Sequence, residues 1–379
     1  MSVSYWQDHS ADETLECDVA VVGAGSVGAY TAWCLRQSGQ NVALVEARHV
    51  AAGATGRNAG MVLTGLAAYY HEAIARYGQA AAREIWDLTL ANRRQMFELA
   101  GRFGVYHEAP GSYLLALDDK EAAEVERAAG ALAAAGLAGE FTRHDPTGRG
   151  FAAAYYQPGD GVIHPVALTE ALVAHSGVPL LDNSEVFALE AAPPGMIVRS
   201  RRATIRCRQV ALCTNAYAPL LHSYFSDKVT PVRGQVFVTE PLAAPLFPCP
   251  GYADYGFEYF RQLPDGRFLL GGWRQHFVDT EVGYEDRVTP GIQAGLEQFA
   301  ARYWPELAGV AITHRWSGTM GFSRDHIPLV GLLPDVPAVG FAVGFTGHGN
   351  GWGLKTAERL VDLLLHGTDP GVLNARRLD

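Results

Sequence analysis

Four apolar residues, Val19 to Val22, run unbroken into a turn built on Gly23, Gly25 and Gly28, beyond which Tyr30, Trp33, Cys34 and Leu35 recur at helical spacing. An unbroken apolar run suits a strand covered on both faces, so the pattern predicts strand, glycine turn, helix. A second run, Val42 to Val45, ends on Glu46. Gln79 to Arg102 sets Ile85, Leu88, Met96 and Leu99 on recurrent helical faces, and Glu121 to Ala135 reads as another helix. HPVALTEALVAHSG is a helix opened by Pro165 and closed by Gly177. A strand around Glu185 to Leu189, a basic hairpin through Ile205 and a buried strand Gln209 to Cys213 follow. From Lys228 to Gly283 the period changes to two around a Pro264-Asp265-Gly266 turn, which predicts antiparallel strands with one covered face. Between Gly256 and Leu263 the alternation puts Phe257, Tyr259 and Arg261 on one face, and Glu258, Phe260 and Gln262 on the other; it does not say which looks inward. Gly340 to Gly367 reads as strand, glycine-rich turn and helix, with Leu354, Ala357, Leu360, Val361, Leu364 and Leu365 as the buried stripe.

The first glycine turn has its own chemistry. Gly23 permits the bend, Gly25 lets backbone approach a pyrophosphate, Gly28 lets helix pack on strand, and the first helical amides, at Ser26 and Val27, attract phosphate charge. Glu46 stands 18 residues after Gly28 at the end of the next strand, where a carboxylate accepts both hydroxyls of an adenosine ribose and repels a 2′-phosphate. That leaves NAD or FAD. The second glycine-rich loop, Ala51 to Gly60, supplies Gly53, Ala54, Thr55, Arg57, Asn58, Ala59 and Gly60 directly after the ribose strand, where a nicotinamide domain more often enters a helix. The balance favours FAD.

Composition narrows the class. A chain of 379 residues, 48% apolar and 18% charged, buries a large core and holds two structural units. No apolar run reaches the ~20 residues of a membrane span, and the acidic start lacks signal-peptide features, so a cytoplasmic address is expected. A formal net charge of −10 without long basic runs disfavours nucleic acid. Five cysteines without a CxxC pair give no disulfide framework and no zinc or other metal site. Ser26 is not a hydrolase nucleophile, because Ala24 stands where GxSxG needs glycine.

With these motifs, and with RWSGTMGFSRDHIPLVG and GFTGHGNGWG near the end, the chain resembles the D-amino-acid oxidase superfamily of flavoproteins in its glycine oxidase and sarcosine oxidase branch; ATGRNAG is most like the γ-glutamylputrescine oxidase type. The resemblance implies an α/β fold, α+β overall, in which a Rossmann-like FAD-binding domain (1–75, 151–225 and 312–379) carries an inserted antiparallel-sheet substrate domain (76–150 and 226–311). It implies cofactor contacts from Ala47 and Arg48 beside Glu46, from Val186 near the adenine, from Thr214 and Asn215, from Gly318, and from Gly347, His348, Gly349, Asn350 and Gly351. A helix N-terminus at the last group would stabilise negative charge on the reduced ring.

The reaction implied is oxidation of a small-molecule amine: hydride leaves the carbon beside nitrogen, the imine is hydrolysed by water, and the electrons pass to O2, giving H2O2. A dehydrogenase using a quinone or carrier protein is the alternative, and a flavin-binding scaffold without turnover a third. His348, Tyr259 and Met320 are the catalytic candidates; His348 reads equally as a positioned structural histidine. The family pattern breaks in three places. No cysteine occupies the family attachment stretch, so FAD is expected to be non-covalent. Met320 and Gly351 stand where relatives of the branch place carboxylate-binding cations. Simple α-amino acids are therefore expected to be poorer substrates than longer amines lying against Tyr259, Phe257 and Trp352, with Arg261, Arg233 or Arg274 as candidate remote clamps.

Overall fold

The computed structural model describes residues 3–137 and 139–379; residues 1, 2 and 138, which the expected domain bounds include, lie outside the described residues. One sheet is built on parallel strands in the order Leu180–Leu181, Val42–Val45, Thr14–Val22, Thr204–Leu212 and Val339–Val343. Thr14–Val22 sits at its centre because both of its faces are covered. Val19 and Val21 pack with Leu35, Leu172 and Leu360 of the helices Ser26–Gln37, Pro165–Ser176 and Gly349–His366, while Ala20 and Val22 pack with Phe225 and Phe341 opposite. The hairpin Val186–Ala192/Gly195–Ser200 and the strand Leu329–Leu332 extend the sheet antiparallel. In a parallel sheet the carboxyl ends of the strands share one edge, so the turn after Val22, Glu46 and the segments after Leu212 and Val343 converge there.

The second sheet runs in the order Ile312–Ser323, Val229–Pro241, Arg267–Gly271, Glu258–Gln262, Gly251–Ala253, Ser112–Ala116, Ala153–Gln157 and Glu140–Thr142, antiparallel except where Gly251–Ala253 meets Ser112–Ala116. On its outer face Phe260, Phe268 and Leu270 pack on the helix Pro290–Tyr303 and on Trp304, whose ring lies 4.5 Å from that of Phe260. On its inner face Tyr259, Leu269 and Val236 meet Ala59, Met61 and Val162. The Phe257, Tyr259, Arg261 side of the alternation is thus the inward one, fixed by the aromatic bulk that the outer helix takes from Phe260.

Sheet membership departs from the expected bounds in two places. Ala153–Gln157, expected within 151–225 of the dinucleotide unit, is an inner strand of the second sheet. Ile312–Ser323, expected with residues 312–379, pairs along the second sheet from Val229 opposite Ser323 to Thr239 opposite Ile312. Its Ser317-Gly318-Thr319-Met320-Gly321 stretch has no apolar alternation, so a period-two reading passes over it. In the other direction, the helix Gln79–Arg102, assigned to the substrate unit, is pinned to the last helix: Asn92 donates to the Asn350 carbonyl at 2.8 Å and accepts from the Leu354 amide at 2.8 Å.

Candidate functional site

Between the two sheets lies one cavity of about 770 Å³, within the usual range for cofactor and ligand sites, running from the turn at residues 23–28 to the loop at residues 344–351. At its first end Gly23 has φ +102°. A Cβ on Gly28 would lie 1.8 Å from the Gly23 carbonyl oxygen, so Gly28 serves the helix–strand approach and does not line the cavity. Gly25, Ser26 and Val27 do line it. The Ser26 amide donates to Thr55 Oγ1 at 3.0 Å, which ties the second glycine loop to the first.

Glu46, Ala47 and Arg48 form the next wall. The Glu46 carboxylate accepts the Ala24 amide at 2.8 Å on one oxygen and the Arg48 amide at 3.0 Å on the other. A carboxylate offers about four lone-pair sites, so acceptor capacity remains for a ligand. Val186 and Thr214 also line this end, and the Thr214 hydroxyl is buried without a hydrogen-bond partner among the described residues. Asn215, at φ +46°, accepts the Gly344 amide at 3.0 Å and joins the strand end to the far loop.

Gly53, Ala54, Thr55, Arg57, Asn58 and Ala59 line the middle. Arg57 does not deliver its charge there: its guanidinium pairs with Asp286 at 2.7 Å and donates to the Ser317 carbonyl at 2.7 Å. Gly60 lies outside the lining. Its φ of +67° and the 2.5 Å that would separate a Cβ from the Ile163 oxygen mark a close backbone approach.

At the far end Gly318 and Met320 come from the edge strand, and Gly347, His348, Gly349, Asn350 and Gly351 from the loop and first turn of Gly349–His366. The N-cap residues of this helix and of Ser26–Gln37 make no side-chain cap bond, so both helix N-termini present their positive ends to the same cavity. The Asn350 side chain donates to Asn58 Oδ1 at 3.2 Å and to the Met61 carbonyl at 3.1 Å, which locks this turn to the second glycine loop. His348 keeps an edge on the cavity while lying deep in the molecule, and burial pushes its pKa down to about 4 against a hydrogen bond with the Thr346 backbone. It is neutral across the physiological range. Tyr252, whose ring is 5.9 Å from that of His348, and Tyr259 both line the cavity, with burial pushing their hydroxyl pKa values up.

His348, Tyr259 and Met320 therefore share one end of one cavity. Trp352, expected beside them, does not: it is 1% exposed and packs in the core under the last helix, because its helical position turns it away from the cavity. Tyr252 stands on the wall instead, from a strand of only three residues, too short for periodicity to single out. Of the three arginines named as remote clamps, Arg261 donates to the carbonyls of Ala59, Gly60 and Ile163 at 3.2 to 3.3 Å, and Arg233 pairs with buried Glu281 at 3.2 Å. Arg274 lines the cavity. The two helix N-termini, the spare acceptor capacity of Glu46 and the unpartnered Thr214 hydroxyl suit a long ligand with a diphosphate near its middle and a polar ring at each end.

Comparison with known proteins agrees with this geometry. The family model DAO, FAD dependent oxidoreductase, matches residues 18–363. The chain is 26% identical over 374 residues to gamma-glutamylputrescine oxidoreductase of Escherichia coli (strain K12), covering 94% of this chain and 85% of that one. Among solved structures it is similar to glycine oxidase from Geobacillus kaustophilus, with TM-score 0.79, 23% identity and coverage of 92% and 95% of the two chains. It is similar also to L-proline dehydrogenase from P. horikoshii, with TM-score 0.81, 21% identity and coverage of 96% and 98%.

Proposed function

The chain belongs to the DAO family of FAD dependent oxidoreductases, and from that premise we propose that it oxidises a C–N bond of an amine or amino-acid-like substrate, with O2 as electron acceptor. The observation that carries the reading is the single cavity joining the first glycine turn to His348, Tyr259 and Met320 beneath the second sheet. FAD, when bound there, would accept the hydride that the substrate carbon loses, and with it both electrons. The names of two relatives, a gamma-glutamylputrescine oxidoreductase and a glycine oxidase, support an amine as substrate and the second supports oxygen as acceptor.

In this reading Glu46 would hold the ribose diol, the Val27 amide at the N-terminus of Ser26–Gln37 would face the diphosphate while the Ser26 amide holds Thr55 Oγ1, and the N-terminus of Gly349–His366 would face the ring edge that gains negative charge. His348 is neutral, so it offers the ring a hydrogen-bonding imidazole and no net charge. Tyr259 stays protonated and Met320 is apolar; together they keep water scarce around an amine that must lose its proton before its C–H bond reacts. The imine released is hydrolysed by water to a carbonyl compound and ammonia, or to a carbonyl compound and a primary amine where the substrate was a secondary amine. FAD is held without a covalent bond: Cys213, the cavity cysteine among the described residues, sits under the first glycine turn, and burial pushes its thiol up to about 12.

Acid precipitation of the purified yellow protein is accordingly expected to leave the flavin in the supernatant. Glu46→Ala is expected to weaken FAD binding by about 1 to 3 kcal/mol, the scale for losing a charged hydrogen-bond acceptor. Unchanged affinity on titration of apoprotein would restrict Glu46 to holding the Ala24 and Arg48 amides.

The activity itself is read by mixing the holoprotein anaerobically with a panel of primary and secondary amines and amino acids. At least one should bleach the flavin, and admitting air should restore the colour with about one H2O2 per flavin. Bleaching that air does not reverse points to another acceptor. Failure of the whole panel removes the amine-oxidising reading.

A further inference from the structure

We propose that Cys17 and Cys207 are a modification site, a thiol pair that hydrogen peroxide closes into a disulfide between the two central strands of the first sheet. The proposal goes beyond the amine-oxidising reading and does not need it, although an oxidase would itself release that oxidant.

The two cysteines come from opposite halves of the chain, and only the sheet brings them together. Thr14–Val22 and Thr204–Leu212 run parallel with Cys17 directly opposite Cys207. Register partners in adjacent strands point to one face and stand about 4.8 Å apart, inside the roughly 4.4 to 6.8 Å between Cα atoms that a disulfide spans. One residue further on, Arg208 donates to Asp18 at 3.0 Å across the same two strands, which holds that register. On its other side Cys207 pairs with Met196 of Gly195–Ser200, and its thiol lies 3.9 Å from the Met196 carbonyl oxygen. Both cysteines belong to the apolar layer that Leu15, Val198 and Ile205 help to form. They lie toward the amino ends of their strands, away from the edge where the cavity opens.

The two members are unequal. Cys17 is half-buried, so a small oxidant reaches it, whereas Cys207 is 7% exposed. The hydrogen bond with the Cys207 thiol, helped by the Ala43 backbone, outweighs burial and pulls the Cys17 pKa below the ordinary thiol value. Cys207 is pushed the other way, by the same bond first and by burial second. The thiolate is the nucleophile, so Cys17 attacks and Cys207 resolves. Attack by Cys17 Sγ breaks the O–O bond and leaves a sulfenic acid on Cys17 and a hydroxide. Cys207 Sγ then displaces the sulfenic oxygen, forming the S–S bond, and with the protons of the two thiols both oxygens depart as water. The thiols lose two electrons and one peroxide takes them. The other three cysteines lack this arrangement: Cys34 sits on the helix Ser26–Gln37, Cys213 and Cys249 lie in loops, and burial pushes each thiol up to about 12.

The holoprotein, reduced and then freed of reductant, is exposed to a molar excess of hydrogen peroxide, quenched with catalase, unfolded in N-ethylmaleimide and mapped by non-reducing peptide mass spectrometry. A peptide linked through Cys17 and Cys207 and parted by dithiothreitol is expected as the main product, with Cys34, Cys213 and Cys249 still alkylated and the flavin spectrum unchanged. Cys17 should be lost to labelling about tenfold faster than Cys34. In Cys207→Ser the reaction should stop at a Cys17 sulfenic acid, trapped by dimedone; in Cys17→Ser, Cys207 should stay a thiol. The proposal is overturned if wild-type Cys17 stays reduced, passes to sulfinic acid while Cys207 remains free, or links to Cys17 of a second copy. Added peroxide separates this test from turnover: a protein that oxidises no amine can pass it, and an active oxidase can fail it. Should a serine variant not fold, the wild-type map alone decides.

Discussion

Gly28→Val is expected to yield a chain that retains no FAD and unfolds well below wild type. A Cβ at residue 28 would stand 1.8 Å from the Gly23 carbonyl oxygen, 3.0 Å from its carbonyl carbon and 3.2 Å from Cys213 Cβ. The turn cannot retreat, since Gly23 is itself at φ +102° and already 2.8 Å, measured from an ideal Cβ, from the Cys213 carbonyl oxygen. Overpacking a core usually costs about 1 to 3 kcal/mol because side chains shift rotamer. Here backbone opposes backbone, so the loss should reach at least the top of that range. Gly130→Ala is the control, because it sits on the helix Asp119–Ala134 outside the cavity lining and nothing lies within 4 Å of its ideal Cβ. Thermal unfolding and the flavin-to-protein ratio should separate the two variants. Wild-type flavin content in Gly28→Val would mean that the helix does not approach the strand as closely as this turn requires.

That glycine was legible from sequence because close approach leaves a trace in residue type. The same holds for Glu46 at a strand end and for the stripe of the last helix, where Leu354, Ala357 and Leu360 are all 0% exposed. The helix Gln79–Arg102 could be bounded from its periodic faces alone. Partnership was harder to read. Nothing in Gln79–Arg102 says that Asn92 will hold the last helix, and nothing in Ala153–Gln157 says which sheet will take it, because strand pairing is settled by long-range packing. The helix Pro290–Tyr303 went unseen among strands, although Pro290 at its first turn is a start signal.

At the candidate site the backbone-binding residues were the legible ones and the side-chain chemistry was not. Glycine turns announce where a cofactor backbone approaches. Whether an arginine is free or spent depends on what faces it: Arg57, Arg233, Arg261 and Arg274 look alike in sequence. Only Asp286, Glu281 and three carbonyls, brought from distant segments, tell the first three from the fourth. Trp352 shows the converse error, an aromatic beside a motif that the helical phase directs into the core.

Arg233→Ala is expected to lower stability by about 3 kcal/mol, the lower end of the cost of stranding one partner of a buried ion pair. Arg233 is 1% and Glu281 0% exposed in their side chains. Glu281 also accepts from Gln235 at 2.8 Å and Thr289 at 2.6 Å, and Arg233 donates to the Thr280 carbonyl at 2.8 Å. This network fastens residues 277–289 to the strand Val229–Pro241, and that segment carries Tyr284, on the cavity wall, and Asp286, the partner of Arg57. Burial alone would push the Glu281 pKa up, but the bonds from Arg233, Thr289 and Gln235 and the Arg233 charge bring it below the ordinary value. A depressed folded-state pKa means that wild type holds this stabilisation above the unfolded-state pKa and loses it as pH falls through the folded one. Without Arg233 the balance reverses: the stranded carboxyl resists ionisation, so the variant is penalised at neutral pH and relieved as acid protonates it. The gap between wild type and variant should therefore be widest near pH 7 and narrow on acidification toward pH 4 in urea unfolding followed by tryptophan fluorescence. A gap independent of pH would assign the loss to packing of the arginine stem. No loss at neutral pH would mean that Gln235 and Thr289 suffice to hold the Glu281 charge.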